Sequence, residues 1–375
     1  MNKIIALLLV LAMAFSLVAC GNNEKSEAAA PAAPEAAPAA TEAATEAAPE
    51  AAPEAADDGV KFAIVFGVGG LGDNGYNDEV YEGCLMAVEE FGCSFDYCEP
   101  ADISETETQL RGYADAGIYD TIMVISTEMV DALTMVAPDY PDQKFCMIDT
   151  GLEGYDNIHS LTASHPEQHF LSGVLAGLAT MDERFPLANG ENKLGFCIAM
   201  DTPTSNAQAS GFLAGAKYIN PDVEIMTSYI GGYADPATAK ELATTMYERG
   251  ADIVSVNAGG SSLGVFNAAA EQNTYVIGTS MAMLDPDHSL CTSMKYVQQM
   301  VVAEVRALTE GTWEPRVDVY GIKDGVCTYS LNGVNTEVPQ DIIDQLEDMK
   351  AKIADGTLVL PTHPSEVDAW VAANR

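Results

Sequence analysis

Residues 61–78 read KFAIVFGVGGLGDNGYND and place a short apolar run directly before a glycine-rich loop. The apolar run predicts a buried β-strand, and the polar residues after the loop are typical of a turn. Gly67, Gly69 and Gly72 match the G-x-G-x-x-G pattern of dinucleotide sites, in which a helix begins at the third glycine. Here turn residues follow Gly72, so the predicted helix, 77–91, starts too late to face a pyrophosphate. The stretch therefore predicts a strand-loop-helix unit without a dinucleotide.

Apolar runs and helical segments continue to alternate along the chain, which is typical of parallel sheets covered by helices. The pattern also repeats. Lys61 and Asp120 precede two strands of the first half, and Lys193 and Asp252 precede their counterparts 132 residues later. Such a repeat indicates two similar units in tandem. We therefore predict an α/β fold with two Rossmann-like lobes, each built on a parallel sheet, joined by a hinge.

The N-terminus has the layout of a bacterial secretory signal peptide, an apolar run that ends in LVAC at 17–20. This ending resembles the motif that is cleaved before a cysteine that then carries lipid. We expect residues 1–19 to be removed and Cys20 to be lipidated. Residues 20–59 are rich in Ala, Pro and Glu and predict a disordered linker. The protein is thus expected outside the cytoplasm, anchored to a bacterial membrane.

The chain carries 56 acidic and 17 basic residues, a formal net charge of −39. Such a charge repels nucleic acids and phosphorylated ligands, so we expect a small neutral ligand and no nucleic acid. Besides Cys20 there are seven cysteines, an odd number that cannot all pair within one chain, and several lie in apolar runs. We expect most of them to be reduced, and no bound metal.

Two motifs indicate other chemistry. The sequence GSSLG at 260–264 matches the G-x-S-x-G pattern of serine hydrolases, and Asp285 and His363 follow Ser262 in the hydrolase order. However, Asn257-Ala258-Gly259-Gly260 intervene after the predicted strand, whereas a nucleophile belongs on a tight turn directly after the strand. A binding loop is the preferred interpretation, and an exported esterase that uses Ser262 remains the alternative.

His165 and His169 have the i, i+4 spacing of a metal-binding pair. Pro166 marks a helix start between them, and no third ligand is evident, so we predict a solvated helix entrance instead. In the dinucleotide alternative, Glu99 is at the right separation from the glycine loop to bind a ribose.

Four side chains could bind a neutral ligand. Asp149 ends the run KFCMID, at the carboxyl end of a strand where open α/β sheets place ligands, and can accept hydrogen bonds from sugar hydroxyls. Asp73 and Asn77 can meet the edge of a heteroaromatic ring, and Tyr76 offers a face for stacking. Each of these residues also suits a cap or a turn.

The chain resembles the basic membrane protein family of bacterial nucleoside-binding lipoproteins, which are type I periplasmic binding proteins of ABC transporters. The resemblance spans about 60–310. GGLGDNGYND is similar to the family's loop, with Tyr76 and Asn77 in its aromatic and Asn places. The similarity continues through FCMIDT, FLSGVLAGLAT, AMDTPTSNAQASGFLAGAKYIN, YADPATAKELATTMYERGADIV, NAGGSSLGVFNAAAE and TSMKYV.

The resemblance implies a ligand held between the lobes, with its base against Tyr76 and its ribose hydroxyls near Asp149, Gly260 and Lys295. Two positions differ. Gln208 stands where the family has a second stacking aromatic, and Ser280 stands where it has an aspartate. The implied ligand-binding set is Asp73, Tyr76, Asn77, Asp149, Gln208, Gly259, Gly260, Ser280 and Lys295.

The predicted function is capture of a nucleoside, with purine nucleosides as the first candidates, and delivery to ABC permease subunits by a monomer anchored through lipid. A sugar-like ligand is the alternative. No reaction, cofactor or metal is expected. We assign 60–163 plus 281–311 to the N-terminal lobe and 164–280 plus 312–375 to the C-terminal lobe.

Overall fold

The computed structural model describes residues 59–68, 70–72, 75–125 and 127–375. The predicted signal peptide, Cys20, nearly all of the linker and Asp73 lie outside these ranges. Within them, no helix is both long enough and apolar enough to cross a bilayer.

Six strands form the first sheet: β1 (Lys61–Val65), β2 (Ser94–Cys98), β3 (Thr121–Ile125), β4 (Phe145–Ile148), β5 (Ile158–Ala163) and β11 (Val317–Tyr320). Their order is β11-β5-β4-β3-β1-β2, and every neighbouring pair is parallel. The apolar sequence of β3 is buried along its whole length, as expected for a parallel strand covered on both faces.

Six further strands form the second sheet: β6 (Lys193–Ile198), β7 (Glu224–Tyr229), β8 (Ile253–Asn257), β9 (Tyr275–Gly278), β10 (Ser289–Lys295) and β12 (Cys327–Ser330). Their order is β12-β10-β9-β8-β6-β7. All pairs are parallel except β10 with β12. The two sheets therefore share one strand order apart from their added edge strands.

In the described part of the chain, ten helices cover these sheets: α1 (Tyr76–Phe91), α2 (Thr106–Ala116), α3 (Val130–Val136), α4 (His165–Ala179), α5 (Pro203–Ile219), α6 (Pro236–Glu248), α7 (Ser262–Gln272), α8 (Gln298–Thr309), α9 (Gln340–Ala354) and α10 (Val367–Asn374). Helix α4 follows β5 but packs on α5, β10 and β12, and α8 follows β10 but packs on α1, β4 and β5. We call the first sheet with α1, α2, α3 and α8 the first lobe, and the rest the second lobe.

The predicted α/β fold with two similar parallel-sheet lobes is confirmed. The internal repeat is visible in the hydrogen bonds, because the Asp120 amide donates to the Lys61 carbonyl at 2.7 Å and the Asp252 amide donates to the Lys193 carbonyl at 3.3 Å. The seven cysteines of the described part of the chain are all free, and all but Cys98 are buried.

Three segments connect the lobes, at Ser164, at 296–297 and at 321–326. They are tied together by backbone hydrogen bonds from Ser164 to the Tyr320 carbonyl and from Tyr296 to the Val326 carbonyl, both at 2.8 Å. These segments form the hinge between the lobes.

The strand pairing corrects the predicted lobe boundaries. β10 lies in 281–311, which we assigned to the first lobe, but it pairs in the second sheet. β11 lies in 312–375, which we assigned to the second lobe, but it pairs in the first sheet. We also failed to predict β5, because His159, Ser160 and Thr162 interrupt its apolar pattern. β11 is far from its partner β5 in the sequence, whereas β10 pairs with β9, the strand just before it.

Close packing of α4 on α5 fixes the position of the first turn of α4. A Cβ atom added to Gly211 would lie 2.1 Å from the Pro166 carbonyl oxygen, and one added to Gly215 would lie 2.1 Å from the Phe170 carbonyl oxygen. Only glycine permits this approach. The start of α4, next to the hinge, is thus held rigidly in the second lobe.

Candidate ligand cleft

A cavity of about 170 Å³ lies between the two lobes. The first lobe contributes residues from the start of α1, and the second lobe contributes the ends of β8 and β9 and one face of α7. Next to the hinge, the second lobe also contributes Gln168 on α4 and Lys295 at the end of β10. Its lining consists of Gly75, Tyr76, Glu79, Gln168, Asn257, Gly259, Ser262, Phe266, Thr279, Ser280, Met283 and Lys295. The volume is below the roughly 300–1,000 Å³ of common ligand pockets, so it suits a compact ligand.

Lys295 and Asp149 form an ion pair beside this cavity. The Lys295 Nζ atom donates to the Asp149 Oδ2 atom, and both side chains are only 15% exposed. Asp149 follows β4 and has a φ of +69°, a left-handed conformation that is uncommon for a residue other than glycine. Strained backbone of this kind is concentrated at functional sites. The Asp149 Oδ1 atom is buried and has no hydrogen-bond partner among the described residues.

Tyr76 completes the same cluster from the first lobe. The Lys295 Nζ atom lies 5.4 Å from the centre of the Tyr76 ring, within the range of a cation–π interaction. Tyr76 is the first residue of α1, so the helix begins four residues after Gly72, close to where the sequence predicted. Residues that are distant in the sequence thus bring a ring, a cation and a carboxylate to one point.

Four other predicted residues fall into two groups. Gly259 and Ser280 line the cavity, and the Ser280 side chain also accepts a hydrogen bond from the Ala282 amide at 3.2 Å. Asn77 and Gly260 are adjacent to lining residues, but neither lines the cavity itself. The Asn77 side chain instead accepts a hydrogen bond from the Gly67 amide at 2.9 Å and holds the glycine loop.

Gln208 is buried on α5 and does not line the cavity. Its neighbour Ala207 lines a second cavity of about 600 Å³ at the start of α5, together with Asp201, His165 and His363. None of the described residues in the predicted ligand-binding set lines this second cavity.

Sequence reasoning missed Phe266 and Gln168. Phe266 lies on α7, four residues after Ser262, and both residues face the cavity. Helical spacing from Gly259 and Ser262 would have identified this face. The second lobe therefore supplies an aromatic side chain to the cavity, although not at the position of Gln208.

The dinucleotide alternative does not fit the loop. The Glu99 carboxylate accepts a hydrogen bond from the Leu71 amide, and the Asp78 carboxylate accepts one from the Gly72 amide, both at 2.7 Å. The amide groups that would have to donate to a pyrophosphate therefore already donate to carboxylates. Glu99 stabilises the loop and is not placed to bind a ribose.

The residues of the esterase alternative are not assembled into a triad. The Ser262 Oγ atom accepts a hydrogen bond from the Ala258 amide at 3.1 Å, which is a structural contact. Asp285 pairs with His288 at 2.9 Å, and the His363 Nδ1 atom contacts the Ser365 Oγ atom at 2.8 Å. Ser262 and His363 also line different cavities.

The predicted solvated helix entrance at His165 and His169 is wrong for His169. That side chain is completely buried and its Nε2 atom lies 3.3 Å from the Asn257 Nδ2 atom. Burial lowers the pKa of His165 to about 4 and that of His169 to about 3, so both imidazoles are neutral at pH 7. No group of three or more His, Cys, Asp or Glu residues suited to a metal ion occurs within the described ranges.

Comparisons with known proteins show which proteins the chain is similar to. Residues 60–363 match the family model Bmp, described as ABC transporter substrate-binding protein PnrA-like. An uncharacterized lipoprotein of Pyrococcus abyssi is 29% identical over 290 residues, which cover 73% of this chain and 70% of that protein. The ABC transporter nucleoside-binding protein BmpA of Lactococcus lactis is 26% identical over 327 residues, 81% of this chain and 89% of that protein.

A solved structure shows the same fold. The ABC transporter solute-binding protein of Aeropyrum pernix superimposes with a TM-score of 0.68 at 26% identity, covering 84% of this chain and 98% of that one.

Proposed function

The chain belongs to the Bmp family of PnrA-like ABC transporter substrate-binding proteins, and from this premise we propose that it captures a nucleoside between its lobes and delivers it to a permease. A substrate-binding protein of this family is not an enzyme, so the cleft has to hold and release its ligand unchanged. The observation that carries the proposal is the cluster of Tyr76, Lys295 and Asp149 beside the cavity. A ring, a cation and a carboxylate are the groups that bind a base and its ribose hydroxyls.

The charges around the cavity favour a neutral ligand. Lys295 and Glu79 are the charged side chains among the described lining residues, and Lys295 is already paired with Asp149. No surplus of positive charge is therefore present there to balance a phosphate, and the whole chain has a formal net charge of −39. A nucleoside fits this environment better than a nucleotide.

Two aromatic side chains support a flat ligand. Tyr76 approaches the cavity from the first lobe and Phe266 from the second. A base held between rings from opposite lobes would be released when the hinge opens, as in other two-lobed binding proteins. The case for a sugar-like ligand rested on Gln208 in place of the family's second aromatic and on Ser280 in place of its aspartate. The presence of Phe266 weakens the first of these two arguments.

Thermal unfolding with a ligand panel tests the proposal. A ligand that binds only the folded protein at a hundredfold excess over its dissociation constant adds about 2.7 kcal/mol of stability. We expect a raised midpoint with at least one of adenosine, inosine, guanosine, cytidine and uridine, and none with their 5′-monophosphates. The variant Tyr76→Ala should bind more weakly by about 1–3 kcal/mol, because stacking on the ring is lost.

The matched control is Tyr113→Ala, because Tyr113 packs against Tyr119 in the first lobe and does not line the cavity. Its ligand-induced shift should equal that of the unmodified protein. A raised unfolding midpoint with pentoses or hexoses, but with none of the five nucleosides, would indicate that the ligand is a sugar and not a nucleoside.

We also propose that the protein acts as a monomer anchored outside the cytoplasm through lipid on Cys20. The LVAC motif at 17–20 and the lipoprotein name of the Pyrococcus abyssi relative support this anchor. We expect the variant Cys20→Ala to move from the membrane fraction to the soluble fraction of a bacterial host after detergent-free lysis. Retention of the variant on membranes would contradict anchoring at this residue.

A further inference from the structure

Gln168 has an unusual environment for a buried side chain. It lies in the first turn of α4, is 2% exposed and lines the cavity between the lobes. Its Oε1 atom is buried without a hydrogen-bond partner among the described residues. A buried amide oxygen in this state is costly, and most buried polar groups avoid it. A group that remains in this position at the wall of a ligand cleft is suited to meet the ligand.

Described residues on either side hold the backbone of Gln168 in place, with no hydrogen bond from them to its Oε1 atom. Its neighbour Glu167 accepts a hydrogen bond from the Ile322 amide at 2.6 Å, which ties the start of α4 to the hinge. Its other neighbour, His169, is buried against Asn257, whose side-chain oxygen in turn accepts a hydrogen bond from Thr279 at 3.3 Å. The residues on both sides are therefore engaged in structural contacts, and the backbone at Gln168 is fixed.

A carboxamide presents a hydrogen-bond donor and an acceptor side by side. This pattern complements the edge of a nucleobase that carries a donor next to an acceptor, as in the pairing of glutamine with adenine in nucleic-acid complexes. Asn77, which the sequence suggested for this role, has its side-chain oxygen on the Gly67 amide. We propose that Gln168 reads the hydrogen-bonding edge of a base that lies against Tyr76, an inference that rests on the nucleoside function proposed above.

Calorimetric titration of the full chain tests this role with three probes: adenosine, inosine and purine riboside, which has hydrogen in place of the 6-substituent. We expect Gln168→Met, which keeps the length and removes both hydrogen-bonding groups, to weaken binding of the tighter of adenosine and inosine by about 5- to 150-fold. Binding of purine riboside should weaken by about threefold or less, because its hydrogen at position 6 offers neither the amino donor of adenosine nor the carbonyl acceptor of inosine.

The control is Gln298→Met. Gln298 also has a buried Oε1 atom without a partner in the described part of the chain, but it lies at the start of α8 and does not line the cavity. Its substitution should leave all three affinities unchanged. If Gln168→Met does not fold, Gln168→Leu provides the same comparison, since it also removes both hydrogen-bonding groups without adding a charge.

The outcomes separate this inference from the proposed function. Unchanged affinity in a folded Gln168 variant, or an equal loss of affinity for purine riboside, would show that Gln168 does not recognise the edge of the base. The proposed nucleoside binding would still hold in that case. A wild-type protein that binds none of the three probes but binds another nucleoside overturns the inference alone, and one that binds no nucleoside overturns both.

Discussion

Replacement of Lys295 by methionine is expected to weaken nucleoside binding by about 30-fold or more, equivalent to about 2–5 kcal/mol. The Lys295 Nζ atom pairs with Asp149 and lies over the Tyr76 ring. Its removal leaves a largely buried carboxylate without a counter-ion and takes a donor from the cavity wall. Calorimetric titration of the full chain with the nucleoside identified in the thermal panel measures the effect.

Lys240→Met is the matched control. Lys240 pairs with Glu271 at 2.7 Å on the surface, with a side chain that is 39% exposed, and such pairs contribute about 0–1 kcal/mol. Its affinity should equal that of the unmodified protein. The double variant Asp149→Asn with Lys295→Met should recover stability without recovering affinity, because the unpaired charge is gone but the donor is still missing. An affinity of Lys295→Met within about twofold of the original would show that the pair has no part in binding.

Replacement of His159 by leucine is expected to lower the free energy of unfolding by about 3–5 kcal/mol at pH 6. His159 on β5 is buried between two carboxylates from elements that enter the first lobe from the hinge. Its Nδ1 atom lies 2.5 Å from Glu304 on α8, and its Nε2 atom lies 3.1 Å from Asp318 on β11. Glu304 also accepts hydrogen bonds from Thr121 and Trp313.

The decrease in the free energy of unfolding caused by His159→Leu should depend on pH. Burial by itself would lower the pKa of His159, but its contacts with Glu304 and Asp318 outweigh burial and raise the pKa above its ordinary value. The charged histidine therefore contributes its full stabilisation below about pH 6.5, the unfolded value, and this contribution is lost as the pH rises through the folded pKa. The difference between the two proteins should shrink from pH 6 to pH 9.

Urea denaturation at both pH values provides this measurement. The control His288→Leu removes a histidine that pairs with Asp285 nearer the surface, and it should cost much less at pH 6. An equal loss for His159→Leu at pH 6 and pH 9 would contradict a charged histidine in this network.

Much of the fold could be predicted because its signals are local or periodic. The repeat of Lys61 and Asp120 at Lys193 and Asp252 identified two equivalent units, and the structure shows equivalent hydrogen bonds at both places. β5 was missed because its polar His159 is compensated by Glu304, 145 residues later in the chain. The pairing of β11 with β5 likewise joins segments that are distant in the sequence, which the pattern within a strand does not record.

In the candidate site, too, some residues could be predicted from local sequence motifs and others depend on tertiary packing. Tyr76, Gly259, Ser280 and Lys295 were predicted and line the cavity. Gln168 was missed because a Pro and a Glu at a helix start normally indicate a solvated turn, whereas here close packing of α4 on α5 buries it. The side-chain direction of a residue such as Gln168 follows from this tertiary packing and not from its neighbours in the sequence.

The most direct test of nucleoside capture is a calorimetric titration of the full-length protein with purine nucleosides, pyrimidine nucleosides and free ribose under one set of conditions. Nucleoside capture predicts saturable binding of at least one nucleoside at one site per chain, and no heat of binding from ribose. Binding of ribose together with a failure of every nucleoside to bind would contradict it.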